Sequence, residues 1–487
     1  MPANEIETNA KMRSSVNVDL RVFIVNLSCR LQKRLIGKTK GRAFKQSRCL
    51  LTLPSSVKML TPSARQQQPR FGSRISDART EISVVMRKVY LDHSATTPID
   101  SRVLEALLPY LTEKFGNASS VHMFGQEARA AVDKARRQLA SLIGARTNEV
   151  VFTSGGTEAN NLAIRGICEL ARAHGRHVIT SAIEHPSVRD VINELEKNGW
   201  EVARLPVYDS GIVRIADVRA AIRPDTILIS VMMANNEIGT IQPIAEIGAL
   251  VREQRERGHR HLWFHTDAVQ AAGRLPIDVQ RLGCDLLSLS AHKIYAPKGT
   301  GALFIRRGVR LVPQQVGGHQ ERERRAGTES VANIVAFGTA AELAREEMDE
   351  RNDHTRRLRD RFETEVETQI NDIVVNGDRE RRLPHLSNIS FRFIEGEGLL
   401  IHLDMQGVAV STGSACSSGT LEPSPVIRAL GRSEELARGA IRFSFGKDND
   451  DEDVDYAVAA LSRAVESLRA ISPLNSEVRS VEFGVSN

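Results

Sequence analysis

Short apolar runs that alternate with helical stretches constrain the fold of this sequence more than any other feature. The runs HVITS (177–181), TILISVMM (226–233) and LLSLS (286–290) each have the length and apolar content of a buried strand. Helical spacing of apolar residues is clear over 126–143, which ends at Gly144. The alternation predicts an α/β fold with a mostly parallel sheet and right-handed crossovers.

Polar residues follow these strands, at the sheet edge where open α/β folds bind ligands. They include His185, Asn236, Asp267, Gln270, Ser290, His292 and Lys293. A lysine beside a hydroxyl and an imidazole can form a Schiff base with a carbonyl cofactor while its neighbours hold a phosphate. An isolated lysine after a strand is more often an ordinary surface residue, so this assignment depends on the other strand ends.

The stretch EVVFTSGGTEANNLAIRG (149–166) predicts a strand, a Gly-Gly turn and a helix. Glycines such as Gly156 let the backbone approach a ligand closely, and the helix that Thr157 opens has N–H groups that favour an anion. Taken alone this is a weak signal, because many strand–turn–helix units look like it.

The basic character of the chain belongs to its first part. Residues 1–86 hold 16 Lys and Arg against 5 Asp and Glu, a net charge of +11, so the remainder carries −5 of the total of +6. We therefore expect no direct binding of nucleic acid by the folded part. No run of about 18 apolar residues appears, so no membrane span is expected.

Residues 1–85 are basic, rich in Ser and Gln, and show little periodicity. Two interpretations stay open: an organellar transit peptide, or an upstream stretch that is not native, with Met86 opening the folded part. The first predicts a mitochondrial protein and the second, slightly favoured, a cytoplasmic one. We expect disorder in either case.

The remaining chain divides by its pattern of elements. We predict a segment over 86–101 that packs with the small domain, a large cofactor-binding domain over 102–344, a smaller α+β domain over 345–473 and a short tail over 474–487. A long helix over 329–366, either continuous or broken, is predicted to link the two domains. The small domain contains predicted strands and helices at 388–393, 398–405, 408–411, 440–445 and 451–470.

The five cysteines are scattered and show no C-x-x-C spacing, so no disulfide framework or cysteine metal site is expected. Cys168 and Cys284 lie in apolar stretches typical of a core. Cys416 differs, because it lies in STGSACSSG, a polar stretch that predicts a mobile loop. The histidines of HRHLWFH (259–265) are interpreted as a surface loop running into a strand rather than as a metal site.

The motifs LDHSATTP, FTSGGTEANNLAI, EHPSV, NNEIG, HTDAVQ, SAHKIYAPKG, RAGTES, STGSACSSG, LEPS and IRFSFG occur in this order from Met86 to Pro473. In them the chain resembles the cysteine desulfurases of the NifS/IscS type, which are fold-type I pyridoxal-phosphate enzymes. The resemblance implies pyridoxal 5'-phosphate as cofactor. It also implies the large domain and smaller C-terminal domain of that fold.

Roles for individual residues follow from the resemblance. Lys293 would hold the cofactor as a Schiff base and move the proton at the substrate α-carbon. Asp267 would pair with the ring nitrogen, Gln270 with the phenolate oxygen, and His185 would stack on the ring and take part in proton transfer. Gly156, Thr157, Ser290 and His292 would cradle the phosphate, and Thr328 would reach the phosphate of the neighbouring subunit of a homodimer. Asn236 and Arg442 would hold the substrate carboxylate.

The resemblance also makes Cys416 the nucleophile that takes sulfur from L-cysteine as a persulfide, leaving L-alanine. The acceptor would be an iron–sulfur scaffold or a tRNA-thiolation protein. No resident metal is expected, although Cys416 is a candidate for transient ligation of a cluster shared with a scaffold. The alternatives are a selenocysteine lyase or class V aminotransferase on the same fold, and a non-catalytic sulfur-transfer platform. Ala291 and Ala296 replace glycines that are common in the family. The tail over 474–487 lacks the longer segment by which many members of the family dock a scaffold protein.

Overall fold

A computed structural model of the chain describes residues 87–412 and 423–473. The predicted extension, the C-terminal tail and Cys416 lie outside the described residues. By their contacts, the described residues belong to one compact unit. The boundary predicted between residues 344 and 345 therefore stays a prediction.

A seven-stranded sheet is the centre of the large domain. Its order is β2-β8-β7-β6-β5-β3-β4, and every neighbouring pair is parallel except those that β8 makes, which are antiparallel. The strands are β2 Val150–Thr153, β3 His177–Ser181, β4 Glu201–Leu205, β5 Thr226–Ser230, β6 Trp263–Asp267, β7 Leu286–Ser290 and β8 Gly301–Ile305. The predicted α/β fold is confirmed, and β7 has the predicted bounds.

Helices cover this sheet with apolar faces. One face of α3 buries Ala128, Val132, Ala135 and Leu139 and packs against α9, as its spacing of apolar residues predicts. The helices are α1 Ser101–Leu107, α2 Pro109–Thr112, α3 Met123–Leu142, α4 Gly156–Ala171, α5 Pro186–Lys197, α6 Ile215–Ala221, α7 Ile244–Glu256, α8 Val279–Leu282 and α9 Val331–Glu346.

A second core lies under a four-stranded antiparallel sheet of order β12-β13-β10-β9. The elements of this part of the chain are α10 Met348–Gln369, β9 Ile373–Val375, β10 Leu386–Phe391, α11 Gly396–Met405, β11 Val408–Ala409, β12 Ser411–Thr412, α12 Pro425–Ala429, α13 Glu434–Arg438, β13 Ala440–Ser444 and α14 Asp451–Ile471, of which α12 and α13 pack into the core of the large sheet. The first strand, β1 Val89–Tyr90, pairs in parallel with β11. The N-terminal segment therefore packs with this second core.

The long helix predicted over 329–366 is two helices, because α9 ends at Glu346 and α10 begins at Met348. In the acidic start of α14, Asp450 and Asp453 form a capping box, which satisfies N–H groups that the helix itself cannot bond. Among the described helices, none combines the length and apolar character needed to cross a bilayer.

Candidate active site

A cavity of about 250 Å³ lies where the carboxyl ends of the large sheet meet β13 of the small sheet. Its position is the one that the strand pattern predicts for a ligand site. The lining residues are Ser94, Ala95, Gly156, Thr157, Asn160, His185, Ser187, Met232, Asn236, Asp267, Val269, Gln270, Ser290, His292, Lys293 and Arg442.

Lys293 reaches this cavity from a short 3₁₀ turn, Ala291–Lys293, that directly follows β7. Its Nζ donates hydrogen bonds to the carbonyl oxygens of Ser94 and Ala95, the latter at 2.7 Å. The turn after β1 therefore holds the lysine head at the cavity wall. A primary amine placed in a partly enclosed cavity can form a Schiff base with a carbonyl ligand.

A hydrogen-bonded chain joins Asp267 to His185. Asn160, which is fully buried, donates through Nδ2 to Asp267 Oδ2 at 2.7 Å and to Ser187 Oγ at 2.8 Å. Ser187 Oγ lies 2.8 Å from His185 Nδ1, and Val269 N donates to Asp267 Oδ1 at 2.9 Å. The carboxylate is thus fixed on both oxygens, as a partner for a cationic ring nitrogen requires.

His185 is the N-cap of α5, where Nδ1 accepts the N–H of Ser187 at 3.1 Å. This bond leaves Nε2 as the nitrogen that carries the proton of the neutral ring. Burial lowers the pKa of His185, Lys293 lowers it further, and the carboxylate of Asp267 opposes both. The ring is therefore a flat, neutral group at the cavity wall, suited to stacking on an aromatic ligand.

The opposite end of the cavity is built to bind an anion. Helix α4 begins at Gly156 with no side-chain cap, so its first N–H groups are available to a ligand. Thr157, Ser290 and His292 line the same end. Burial and the neighbouring Lys293 and Lys298 lower the pKa of His292 to about 4, so at neutral pH its ring is a hydrogen-bonding group rather than a cation.

Arg442, on β13, closes the cavity from the small sheet. Its Nη2 pairs with Asp92 Oδ1 at 2.8 Å, and its Nη1 donates to the Asn236 carbonyl at 2.9 Å. Its Nε is buried, and no described residue accepts a hydrogen bond from it. A buried donor of this kind is costly unless a ligand satisfies it, and a carboxylate would do so.

The residues present fit pyridoxal phosphate. Like Arg442 Nε, the buried amide oxygen of Gln270 has no hydrogen-bond partner within residues 87–412 and 423–473, although the amide nitrogen of Gln270 donates to Ser94 O. A Cβ at Gly156 would approach Val269 Cγ2 to 2.7 Å, so only glycine leaves this wall of the cavity as it is. Asp267 would hold the ring nitrogen, His185 the ring face, Lys293 the carbonyl carbon, and the start of α4 the phosphate.

The structure brings ten of the twelve predicted site residues into one cavity. Cys416 lies outside the described residues, and Thr328 is exposed and does not line the cavity of its own chain. Three further residues near the site, Asn160, Ser187 and Asp92, have no role predicted from the sequence. Each lies inside a quoted motif, but nothing in the sequence shows which of its polar residues are buried against the site.

Two other predictions concern cysteines and metals. Cys168 and Cys284 are buried, and burial raises the pKa of both thiols, that of Cys284 to about 12, so neither is a ready nucleophile. Within residues 87–412 and 423–473, no cluster of three or more His, Cys, Asp or Glu residues could hold a metal ion.

The chain matches the family model of class-V aminotransferases over residues 89–457. It is 51% identical to the cysteine desulfurase IscS of Dictyoglomus turgidum over 391 residues, which are 80% of this chain and 98% of that protein. It is similar to a solved NifS-like protein (TM-score 0.73, 34% identity, 78% of this chain and 100% of that one). It is also similar to the solved structure of SspA in complex with cysteine (TM-score 0.65, 35% identity, 74% and 99%).

The match covers more than half of the chain and nearly all of each relative, and the fold and cavity are those of a pyridoxal-phosphate enzyme. The chain therefore belongs to the class-V aminotransferases and, within them, to the cysteine desulfurases of the NifS/IscS type. The predicted resemblance and cofactor are confirmed.

Proposed function

We propose that this cysteine desulfurase converts L-cysteine to L-alanine and stores the sulfur as a persulfide on Cys416. The observation that carries the proposal is the meeting of Lys293, Asp267 and Arg442 in one cavity. An amine for the cofactor carbonyl, a carboxylate for its ring and a guanidinium for an amino acid carboxylate are the three groups that this chemistry requires.

Bound pyridoxal phosphate supplies an electron sink for a carbanion at the α-carbon of an amino acid. Asp267 keeps the ring nitrogen charged, held there by Asn160 and Val269 N. Arg442 and Asn236 orient the substrate carboxylate, and the Lys293 amine takes the proton from the α-carbon. His185 excludes water from one ring face.

In the sulfur step, Cys416 forms one new bond to the substrate. Its thiolate attacks the substrate sulfur, so that an S–S bond forms while the substrate's Cβ–S bond breaks. The bonding electron pair stays with the carbon fragment, which takes up protons and leaves as L-alanine. No outside oxidant is needed, because the sulfur moves from cysteine to Cys416 with the enzyme retaining it as a persulfide.

The two ends of the segment that contains Cys416 support this role. On one side, Ser411 of β12 is the register partner of Arg442. On the other side, the Ser424 hydroxyl donates to the buried Glu237 carboxylate at 2.5 Å, next to Asn236. Cys416 is four positions after Thr412, and four steps of extended chain span at most roughly 14 Å. Chain length therefore permits Cys416 to reach the substrate sulfur.

A homodimer is part of the proposal. Six apolar side chains between residues 108 and 124 are at least 48% exposed, and the rings of Phe115 and Phe124 stack with their centroids 5.8 Å apart. Exposed apolar residues of this kind mark an interface, and we call the six the apolar patch. They are Leu108, Leu111, Phe115, Val121, Met123 and Phe124. A second copy of the chain covering this patch would bring the exposed Thr328 of one copy to the cofactor phosphate of the other copy. Phe115→Glu should give a monomer by light scattering, whereas Leu170→Glu, elsewhere on the surface, should not.

The persulfide would pass to a sulfur-acceptor protein, of the iron–sulfur scaffold or tRNA-thiolation kind. Capture of the acceptor from native lysate on persulfide-loaded enzyme, with Cys416→Ser as control, would identify it. A partner bound equally by both forms would not be a sulfur acceptor.

The function is tested by sulfide release from L-cysteine in the presence of a reductant. Lys293→Ala should lose both the visible absorbance of the cofactor and sulfide release. Cys416→Ser should keep the absorbance and lose the release. Unchanged sulfide release in Cys416→Ser, or amino transfer from cysteine-free donors to pyruvate, would instead indicate a lyase or an aminotransferase.

A further inference from the structure

Arg274 is a buried cation that pairs with no carboxylate in the described part of the chain. It is 8% exposed, and within residues 87–412 and 423–473 its side chain donates one hydrogen bond, from Nη1 to the backbone oxygen of Lys293 at 3.2 Å. Among residues 87–412 and 423–473, no carboxylate lies within ion-pair distance of its guanidinium. Burial and the nearby Arg351 lower its pKa to about 10, which still leaves it charged at neutral pH. An unpaired buried charge of this kind is costly.

The other charged side chains near Arg274 are balanced among themselves. Arg102, Arg351 and Lys447 contact the carboxylates Asp100, Glu347 and Asp448, three cations against three anions. Arg274 adds a fourth cation and no anion. The cluster therefore carries a net charge of +1, beneath the lysine that binds the cofactor.

A second cavity adjoins Arg274 and shares Lys293 as a lining residue with the cofactor cavity. It has a volume of about 30 Å³, and no Asp or Glu lines it. Its walls include Arg274, Tyr295, Arg351, His385 and Lys447. His385 is 1% exposed with Nδ1 unpartnered, and the Tyr295 hydroxyl accepts from Lys447 N with its own proton left to donate. The space admits one small species surrounded by donors.

We propose that this cavity binds one monovalent anion of halide size, chloride under ordinary conditions, held by Arg274, Tyr295 and His385. The anion cancels the excess charge, whereas a water molecule would satisfy hydrogen bonds and leave the charge uncompensated. Because Arg274 also donates to the Lys293 carbonyl, the bound anion fixes the backbone of the cofactor lysine.

Crystals of the full chain with its cofactor, grown with bromide in place of chloride, test occupancy directly. The proposal predicts an anomalous bromide peak within hydrogen-bonding distance of the Arg274 guanidinium. A water at that position, with bromide found only on the surface, would overturn it.

Thermal unfolding in chloride against gluconate, at one ionic strength, tests the compensation of charge. Chloride in tenfold excess over its dissociation constant should raise Tm by about 2 °C, since an anion that binds only the folded state stabilises it. Arg274→Met should abolish the difference between the two salts. Arg219→Met, which breaks an exposed pair with Glu253, should keep it. Equal Tm values for the unaltered protein in the two salts would contradict the proposal whether or not Arg274→Met folds.

Discussion

Asn160 joins the two halves of the active site, and its removal has a calculable effect. In Asn160→Ala, Asp267 Oδ2 loses its 2.7 Å hydrogen bond and keeps only the Val269 N–H on Oδ1. A hydrogen bond to a charged group contributes about 1.5–3 kcal/mol, and burial excludes water as a replacement. Ser187 loses its bond to the same amide. We therefore expect the carboxylate to hold a cationic ring nitrogen less well by about 2 kcal/mol.

A loss of about 2 kcal/mol corresponds to roughly a thirtyfold fall in kcat if the interaction acts in the transition state. The assay is alanine formation from L-cysteine at saturating cofactor, with cofactor absorbance measured on the same samples. Asn161→Ala is the matched control, because its amide is exposed on the same helix and donates to Thr157 O. It should change kcat less than twofold.

A kcat within twofold of the unaltered enzyme for Asn160→Ala, with full cofactor absorbance, would refute the reasoning. It would mean that Asp267 needs no support from α4. A protein that failed to bind cofactor at all would place the effect on binding, which a titration with pyridoxal phosphate separates from kcat.

Two further predictions concern pH and substrate affinity. Burial raises the pKa of Glu237 from 4.5 to about 7. Between these two pH values the folded state holds a proton that the unfolded state releases, so the free energy of unfolding falls as pH rises. In denaturant melts at several pH values, the free energy of unfolding should fall less steeply with rising pH for Glu237→Gln. It should fall as steeply as in the unaltered protein for the exposed Glu253→Gln. Asp92→Ala removes the 2.8 Å partner that orients Arg442 and should raise KM for cysteine about tenfold with little effect on kcat. An unchanged KM would show that Arg442 needs no such partner.

The sequence predicts the parallel strands well because their burial on both faces leaves continuous apolar runs. LLSLS at 286–290 is buried throughout and was placed at its observed bounds. The edge strand β4, EVARL, is mostly exposed or half-buried, so it has no such run and was missed. The antiparallel direction of β8 could not be predicted either, because pairing direction depends on partners distant in sequence.

Side chains at strand ends were predicted because position along a strand fixes which edge of the sheet they reach. Asn160 and Ser187 lie within helices α4 and α5, where a polar residue usually faces solvent. Their burial depends on how these helices pack against the sheet. Likewise, the pairing of Asp92 with Arg442 joins residues 350 positions apart, which no local pattern reveals.

A single-turnover reaction tests the central claim most directly. Enzyme with its cofactor is mixed with L-cysteine without reductant, the thiols are alkylated, and the peptides are analysed by mass spectrometry. The account predicts one alanine per chain and one added sulfur on Cys416, both absent in Cys416→Ser, which keeps its cofactor absorbance. Alanine at the unaltered rate in Cys416→Ser, or sulfur found on Cys168 or Cys284, would contradict it.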